Sequence, residues 1–103
     1  MLFAIIAHDI EDSLTLRQKT RPAHLARLEQ LQQQGRLLLA GPTPNVAPDS
    51  NGEQGFSASL IVAEFDSLEQ ANAWAEADPY MQAGVYEYVD VKPFKQVFPR
   101  PHE

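Results

Sequence analysis

Apolar positions along the chain come in short blocks separated by turn-forming residues. Leu2 to Ala7 is a continuous apolar run with β-branched and aromatic content, which predicts a strand apolar on both faces. His8 to Ser13 leaves it as a polar loop, and Ser13 is placed to cap a first helical turn over Leu14–Lys19. Pro22 then restarts or bends the helix, with Thr20 or Arg21 as the cap of the main segment. That segment is expected to run to about Gln34, where Gly35 stops it. At about 100° per residue Leu25, Leu28 and Leu31 share one stripe, and His24 lies inside it, about 40° from Leu28. A titratable ring is thus aimed at the interior.

Arg36–Ala40 predicts a second strand, ending at Gly41-Pro42. Thr43 to Gly55 carries Pro44, Pro48 and Asn51-Gly52 without periodicity and predicts a long loop, the kind that serves as a lid or binding loop or is disordered. Phe56–Glu64 predicts a third strand. Asp66-Ser67 opens a second helix, with capping-box spacing from Ser67 to Gln70, an apolar stripe of Leu68, Ala71 and Ala75, and Trp74 on its flank. Asp78-Pro79-Tyr80 breaks that helix and starts a short turn ending near Gly84. Val85–Val91 predicts a fourth strand closed by Pro93, with Lys95–Phe98 as a short extra edge strand. The order β-α-β-β-α-β is ferredoxin-like, an α+β fold in which an antiparallel sheet carries both helices on one face. Residues 1–98 form a single domain in this reading and 99–103 a frayed tail. The other sheet face has no cover within one chain, which predicts a homodimer.

Composition narrows the function. The 103 residues suffice for one core. Eight Lys+Arg against 14 Asp+Glu give a net charge of −6, the wrong sign for a nucleic-acid backbone or an anionic membrane. Without cysteine there is no thiol chemistry and no disulfide. The first apolar run is too short to span a bilayer and has no basic flank, so a cytoplasmic protein is expected. No phosphate loop, GxSxG or dinucleotide fingerprint is present, so no cofactor is expected.

Arg21-Pro-Ala-His24-Leu, Gly35-Arg-Leu-Leu-Leu-Ala-Gly-Pro42, Ala77-Asp-Pro-Tyr80, Ala83-Gly-Val-Tyr86 and Val91-Lys-Pro-Phe94 resemble the YCII-related family, in register from Met1 to about Phe98. The resemblance implies a ferredoxin-like dimer of the dimeric α+β barrel type, with a pocket centred on a histidine–aspartate pair carried here by His24 and Asp78. It also implies kinship with dehydrochlorinating enzymes that act on hydroxylated aromatic compounds.

Each candidate residue has a chemical and a structural reading. His24 oriented by Asp78 suits general acid–base work, the carboxylate raising the ring's basicity and a nearby helix N-terminus opposing it. Otherwise His24 is a satisfied core-edge histidine and Asp78 caps the turn at Pro79; the resemblance favours the first. Arg17 and Arg21, one helical turn apart, suit a clamp on a substrate carboxylate or enolate, or a surface pairing with Asp9, Glu11 or Asp12. Gly41 and Pro42 belong to the pocket and its lid, or merely end a strand. Tyr80 donates a hydrogen bond or, as preferred on the residues, packs against Trp74. His8, Asp9, His24 and Asp78 are N/O ligand types but lack ligand spacing, so no metal is expected. His102, in the tail, is given no role. The resulting expectation is a cofactor-independent enzyme that moves a proton on a small polar or hydroxylated aromatic substrate by isomerisation or elimination. The alternative is a non-catalytic module that binds or senses a small molecule in the same pocket.

Overall fold

A computed structural model of the chain describes residues 1–45 and 55–101. Strands β1 (Leu2–Asp9), β2 (Leu37–Pro44), β3 (Phe56–Glu64) and β4 (Tyr86–Phe94) form one antiparallel sheet in the order β2-β3-β1-β4. Helices α1 (Leu14–Gln33), α2 (Leu68–Glu76) and the single turn α3 (Pro79–Gln82) complete the chain. The fold is ferredoxin-like α+β, the class the element order predicts.

Strand alternation sorts the sheet into two faces. Phe3, Ile5 and Ala7 of β1 are buried and sit in register with Ala63, Ile61 and Ser59 of β3. Leu31 of α1 and Ala71 and Ala75 of α2 pack with Phe3, Ile5, Ile61, Ala63 and Phe65 to make the main core. The opposite face presents Leu2, Ala4, Ile6 and His8 of β1, only half-buried, and no helix among the described residues covers it. Leu39 on β2 and Tyr88 on β4 are 46% and 51% exposed.

Helix α1 is unbroken from Leu14 to Gln33 with Pro22 inside it, so the expected restart at Pro22 and the cap at Thr20 or Arg21 are both corrected. Proline removes one N–H from the ladder, leaving the Gln18 carbonyl without its helical partner. Gln18 is exposed, so water can take that place, while Arg17, His24 and Leu31 are buried on either side of the proline and hold the axis to the sheet. The C-terminus is a Schellman turn. Gly35 adopts φ +71°, its N–H donates to the Gln32 carbonyl and the Arg36 N–H donates to the Leu31 carbonyl.

Three strand boundaries also differ from expectation. Strand β1 continues through His8 and Asp9, which pair with both neighbouring strands or with β4 alone. Strands β2 and β4 run through Pro42 and Pro93 instead of ending there, because both are edge strands where a missing N–H costs no ladder bond. Lys95–Phe98 forms no strand. In α2 the Ser67 hydroxyl accepts from the Gln70 N–H at 3.1 Å, the cap its spacing predicts, but Leu68 of the expected apolar stripe is 43% exposed. Most of the expected loop between β2 and β3, with its lid role, lies outside the described residues.

Gly35→Ala should destabilise the protein by about 1 kcal/mol, the cost of a Cβ in the left-handed region, although the space around that Cβ is open. Urea unfolding checks this; an unchanged midpoint would show that the turn does not limit stability.

Candidate functional site

The buried residues of α1 are Arg17, His24 and Leu31, seven positions apart and therefore on one face. Two of these three are polar and ionisable, and each meets a carboxylate from a different element. His24 Nδ1 lies 2.9 Å from Oδ1 and 3.0 Å from Oδ2 of Asp78. The histidine is 7% exposed and the aspartate 2%. Asp78 is the N-cap of α3, and its Oδ1 also accepts from the Tyr80 N–H at 2.9 Å. The cap therefore fixes the carboxylate, and the carboxylate fixes the ring. Tyr80 lies flat on the imidazole, with centroids 4.0 Å apart and planes 13° from parallel. Tyr80 thus packs against His24, not against Trp74, which instead contacts Phe65 and the Arg27 guanidinium.

Arg17 is not a surface residue. Its Nε and Nη2 donate to the two Asp9 oxygens at 2.6 and 2.8 Å, a fork-to-fork pair, and Nη2 also donates to Ser59 Oγ at 2.8 Å. The Ser13 hydroxyl donates to the same Asp9 carboxylate. Burial opposes the guanidinium's charge, but Asp9 outweighs it and holds the Arg17 pKa above its ordinary value. The guanidinium carbon sits 5.2 Å from the Phe56 ring centroid and 5.1 Å from that of Tyr80. Asp9 can reach it only because β1 extends to that residue, and Ser59 because it faces the helices from β3.

Between α1 and strands β2 and β3 lies a cavity of about 550 Å³, within the usual range for small-molecule sites. Arg17, Arg21, His24 and Tyr80 line one side, and Ala40, Gly41 and Pro42 of the edge strand line another. Leu25, Leu28 and Ile61 supply apolar wall. All seven residues singled out in the sequence therefore meet here, Asp78 from behind His24. Arg21 is exposed and paired with none of the described residues. His24 sits well inside α1, so the helix N-terminus expected to act on it is too far away.

Sequence reading missed Ser59, Phe56 and the burial of Asp9. The seven-residue spacing of Arg17, His24 and Leu31 was the one available sign that Arg17 turns inward. His8 faces the other side of the sheet, stacked on Tyr88 at 4.3 Å and 3.4 Å from an Asp90 oxygen. It cannot join His24 and Asp78 in a ligand set, and no group of three potential ligands occurs among the described residues.

A model of the YCII-related domain matches residues 1–95. The chain belongs to the YCII-related family. The proteins named YciI in Escherichia coli O6:H1 and Shigella flexneri are each 59% identical over 98 residues, covering 95% of this chain and all of theirs. An uncharacterized protein of Haemophilus influenzae is 49% identical over the same length. Among solved structures, 5-chloro-2-hydroxyhydroquinone dehydrochlorinase from Burkholderia phenoliruptrix, in complex with 2,5-dihydroxybenzoquinone, superposes with a TM-score of 0.78 at 29% identity. That match covers 92% of this chain and 94% of the other. No helix among the described residues is long and apolar enough to cross a membrane.

Beside the YCII-related cavity, Tyr86 is buried and its hydroxyl has no hydrogen-bond partner of ordinary geometry among the described residues. Ser59 is near enough to favour the phenolate slightly, but burial dominates and raises the Tyr86 pKa well above 10.0; burial raises Tyr80 as well. A phenol whose pKa rises on folding contributes stability below its unfolded value and loses it as pH climbs beyond that point. Stability should therefore fall as pH rises above about 10, and Tyr86→Phe should flatten the fall while leaving neutral-pH stability unchanged or higher. Asp9→Asn, which leaves the Arg17 charge buried without its partner, should cost about 3–5 kcal/mol. Denaturant titrations at pH 7 and pH 10.5 test all three expectations; a pH-independent Tyr86→Phe difference would refute the linkage.

Proposed function

We propose that the protein is a cofactor-independent enzyme in which His24 transfers a proton on a small polar or hydroxylated aromatic substrate held in the 550 Å³ cavity. The observation that carries this reading is the fixed imidazole. A carboxylate can only accept, so Nδ1 carries the hydrogen and donates it to Asp78, and Nε2 is left as the basic nitrogen. His24 lines the cavity, and Nε2 has no hydrogen bond to any described residue. Stacking on Tyr80 and the two-point contact with Asp78 leave the ring little rotational freedom, which is what a positioned acid–base needs.

Elimination and isomerisation both suit this set of residues, because neither exchanges electrons with a cofactor. In elimination, Nε2 takes a proton, the electrons of the broken bond form a new double bond, and an anion such as chloride departs. In isomerisation the same proton returns to another atom. The imidazolium formed is balanced by Asp78. Arg21, at the cavity wall and free of a partner among the described residues, would steady negative charge developing on substrate oxygen; Arg17 would do so from the rigid end. Gly41 and Pro42 shape the strand side of the cavity, and Tyr80 acts by holding the ring. The structural similarity to a dehydrochlorinase of a hydroxylated aromatic supports this class of chemistry.

The uncovered sheet face supports a homodimer as the working unit. Leu2, Ala4, Ile6, Leu39 and Leu60 make that face apolar, and a second copy would cover it.

The test uses His24→Gln, since His24→Ala would strand a buried carboxylate. Turnover of hydroxylated aromatics, beginning with 5-chloro-2-hydroxyhydroquinone, should fall by about 100-fold or more with the circular dichroism spectrum retained. Unchanged turnover would exclude His24 as the base. Incubation with a metabolite extract, followed by mass spectrometry, separates catalysis from storage: a depleted compound with a new product marks an enzyme, an unchanged bound compound a binding module. Analytical ultracentrifugation should give a dimer at micromolar concentration and a shift toward monomer for Leu39→Asp. A monomeric wild type would overturn the dimer.

A further inference from the structure

We infer that the end of the cavity formed by Arg17 and Ser59 is a receptor for one anionic oxygen, so that the ligand is a compact organic anion, a carboxylate or an acidic enol. This inference rests on the reading of the cavity as a small-molecule site, but not on His24 performing chemistry there.

The first observation is a donor count. A guanidinium has five N–H donors, and Arg17 commits three of them, two to Asp9 and one to Ser59. The hydrogens on Nη1 make no hydrogen bond of ordinary geometry to the described residues, although the Tyr80 hydroxyl stands near the guanidinium, and Arg17 lines the cavity. The second is the direction of the Ser59 bond. Ser59 is 3% exposed, lines the cavity and accepts from Arg17 Nη2, so its own hydroxyl hydrogen remains to be given. No acceptor of ordinary geometry for it exists among the described residues, the Tyr86 hydroxyl included. Two neighbouring groups with donors to spare, one of them cationic, favour an oxygen that accepts.

The third observation is charge. The chain has 14 acidic residues against 8 basic ones, yet among the described residues none of those lining the cavity is acidic, while Arg17 and Arg21 both line it. Asp9 and Asp78 stand behind Arg17 and His24 and do not line the space themselves. The pair with Asp9 does not discharge the site, because it locks the guanidinium plane and leaves its far edge to the ligand. The Phe56 and Tyr80 rings lie 5.2 and 5.1 Å from the guanidinium carbon, an apolar setting that strengthens a charge-assisted hydrogen bond. The apolar wall of Leu25, Leu28 and Ile61 then receives the carbon skeleton. Ser59 is accordingly a specificity residue: its hydroxyl hydrogen adds a donor beside the Arg17 guanidinium, whose donor-only, positive edge favours an anionic oxygen over an amide N–H or an amine.

Isothermal titration with benzoate and benzamide, and with phenylacetate and phenylacetamide, tests the inference on the unmodified protein. Each carboxylate should bind at least about tenfold more tightly than its amide, a preference that weakens with added salt. Ser59→Ala should reduce carboxylate affinity by about tenfold and amide affinity by less than about twofold, with a lower melting temperature, because Arg17 Nη2 loses its acceptor, but a cooperative transition retained. Acid and amide binding within about twofold of each other, or no binding of either at about millimolar concentration, overturns the anion receptor. A preference that survives intact in Ser59→Ala overturns the role of Ser59. Anion preference without His24-dependent turnover would refute the catalytic proposal alone, and turnover without anion preference would refute this one alone.

Discussion

The structure depends on one face of one helix having two polar positions to bury. Arg17, His24 and Leu31 are carried inward together by the helical repeat, and the first two cannot enter a core without partners, since an unpaired buried charge costs several kcal/mol. Asp9 answers the arginine from the end of β1, and Asp78 answers the histidine from the cap of α3. Because those two carboxylates come from opposite ends of the sequence, the pairings set where α1 sits along the sheet. A helix docked one turn away would leave both pairs broken.

The polar stretch of the α1 contact is also where the core is incomplete. Toward its C-terminal end α1 packs Leu31 tightly against Phe3, Ile5 and Ile61. Toward its N-terminal half the side chains facing β2 and β3 are long and polar and do not close the gap, and the cavity results. Leucines in place of Arg17 and His24 would remove the site and strand the Asp9 and Asp78 carboxylates in the core. Packing and chemistry thus compete for the same helix face, and the two ion pairs are what make the open solution stable.

The same economy appears in the short segment after α2. Asp78 caps a four-residue helix, orients an imidazole and neutralises it when protonated, while Tyr80, two residues on, covers the imidazole and reaches the Arg17 carbonyl with its hydroxyl at 3.4 Å. Arg27, whose pKa burial lowers and Asp78 partly restores, lies over Trp74 on the α2 side. The histidine is therefore held at its nitrogen and its face by residues close together in the chain and remote from it, and the same segment reaches the helix backbone at Arg17.

Much of this was legible in the residues. Strand and helix order, the capping box at Ser67, the Gly35 stop and the inward aim of His24 follow from local periodicity and capping, which act within a few residues and so leave their mark in the sequence. Pro22, Pro42 and Pro93 were misleading, because what a proline costs depends on whether the position is solvated or at an edge, and that is a property of the assembled sheet. For Arg17 the residues left a substrate clamp and a surface pair with Asp9, Glu11 or Asp12 both open, since a charge looks exposed until its partner is known. Asp9 became that partner only when β1 and α1 were brought side by side. The sequence by itself determined the elements, their order and the presence of one inward imidazole. Only the tertiary structure decided which of Asp9, Glu11 and Asp12 meets Arg17, that Ser59 joins that pair and that a cavity remains, because those depend on contacts between residues as far apart as Arg17 and Ser59, which no local rule can encode.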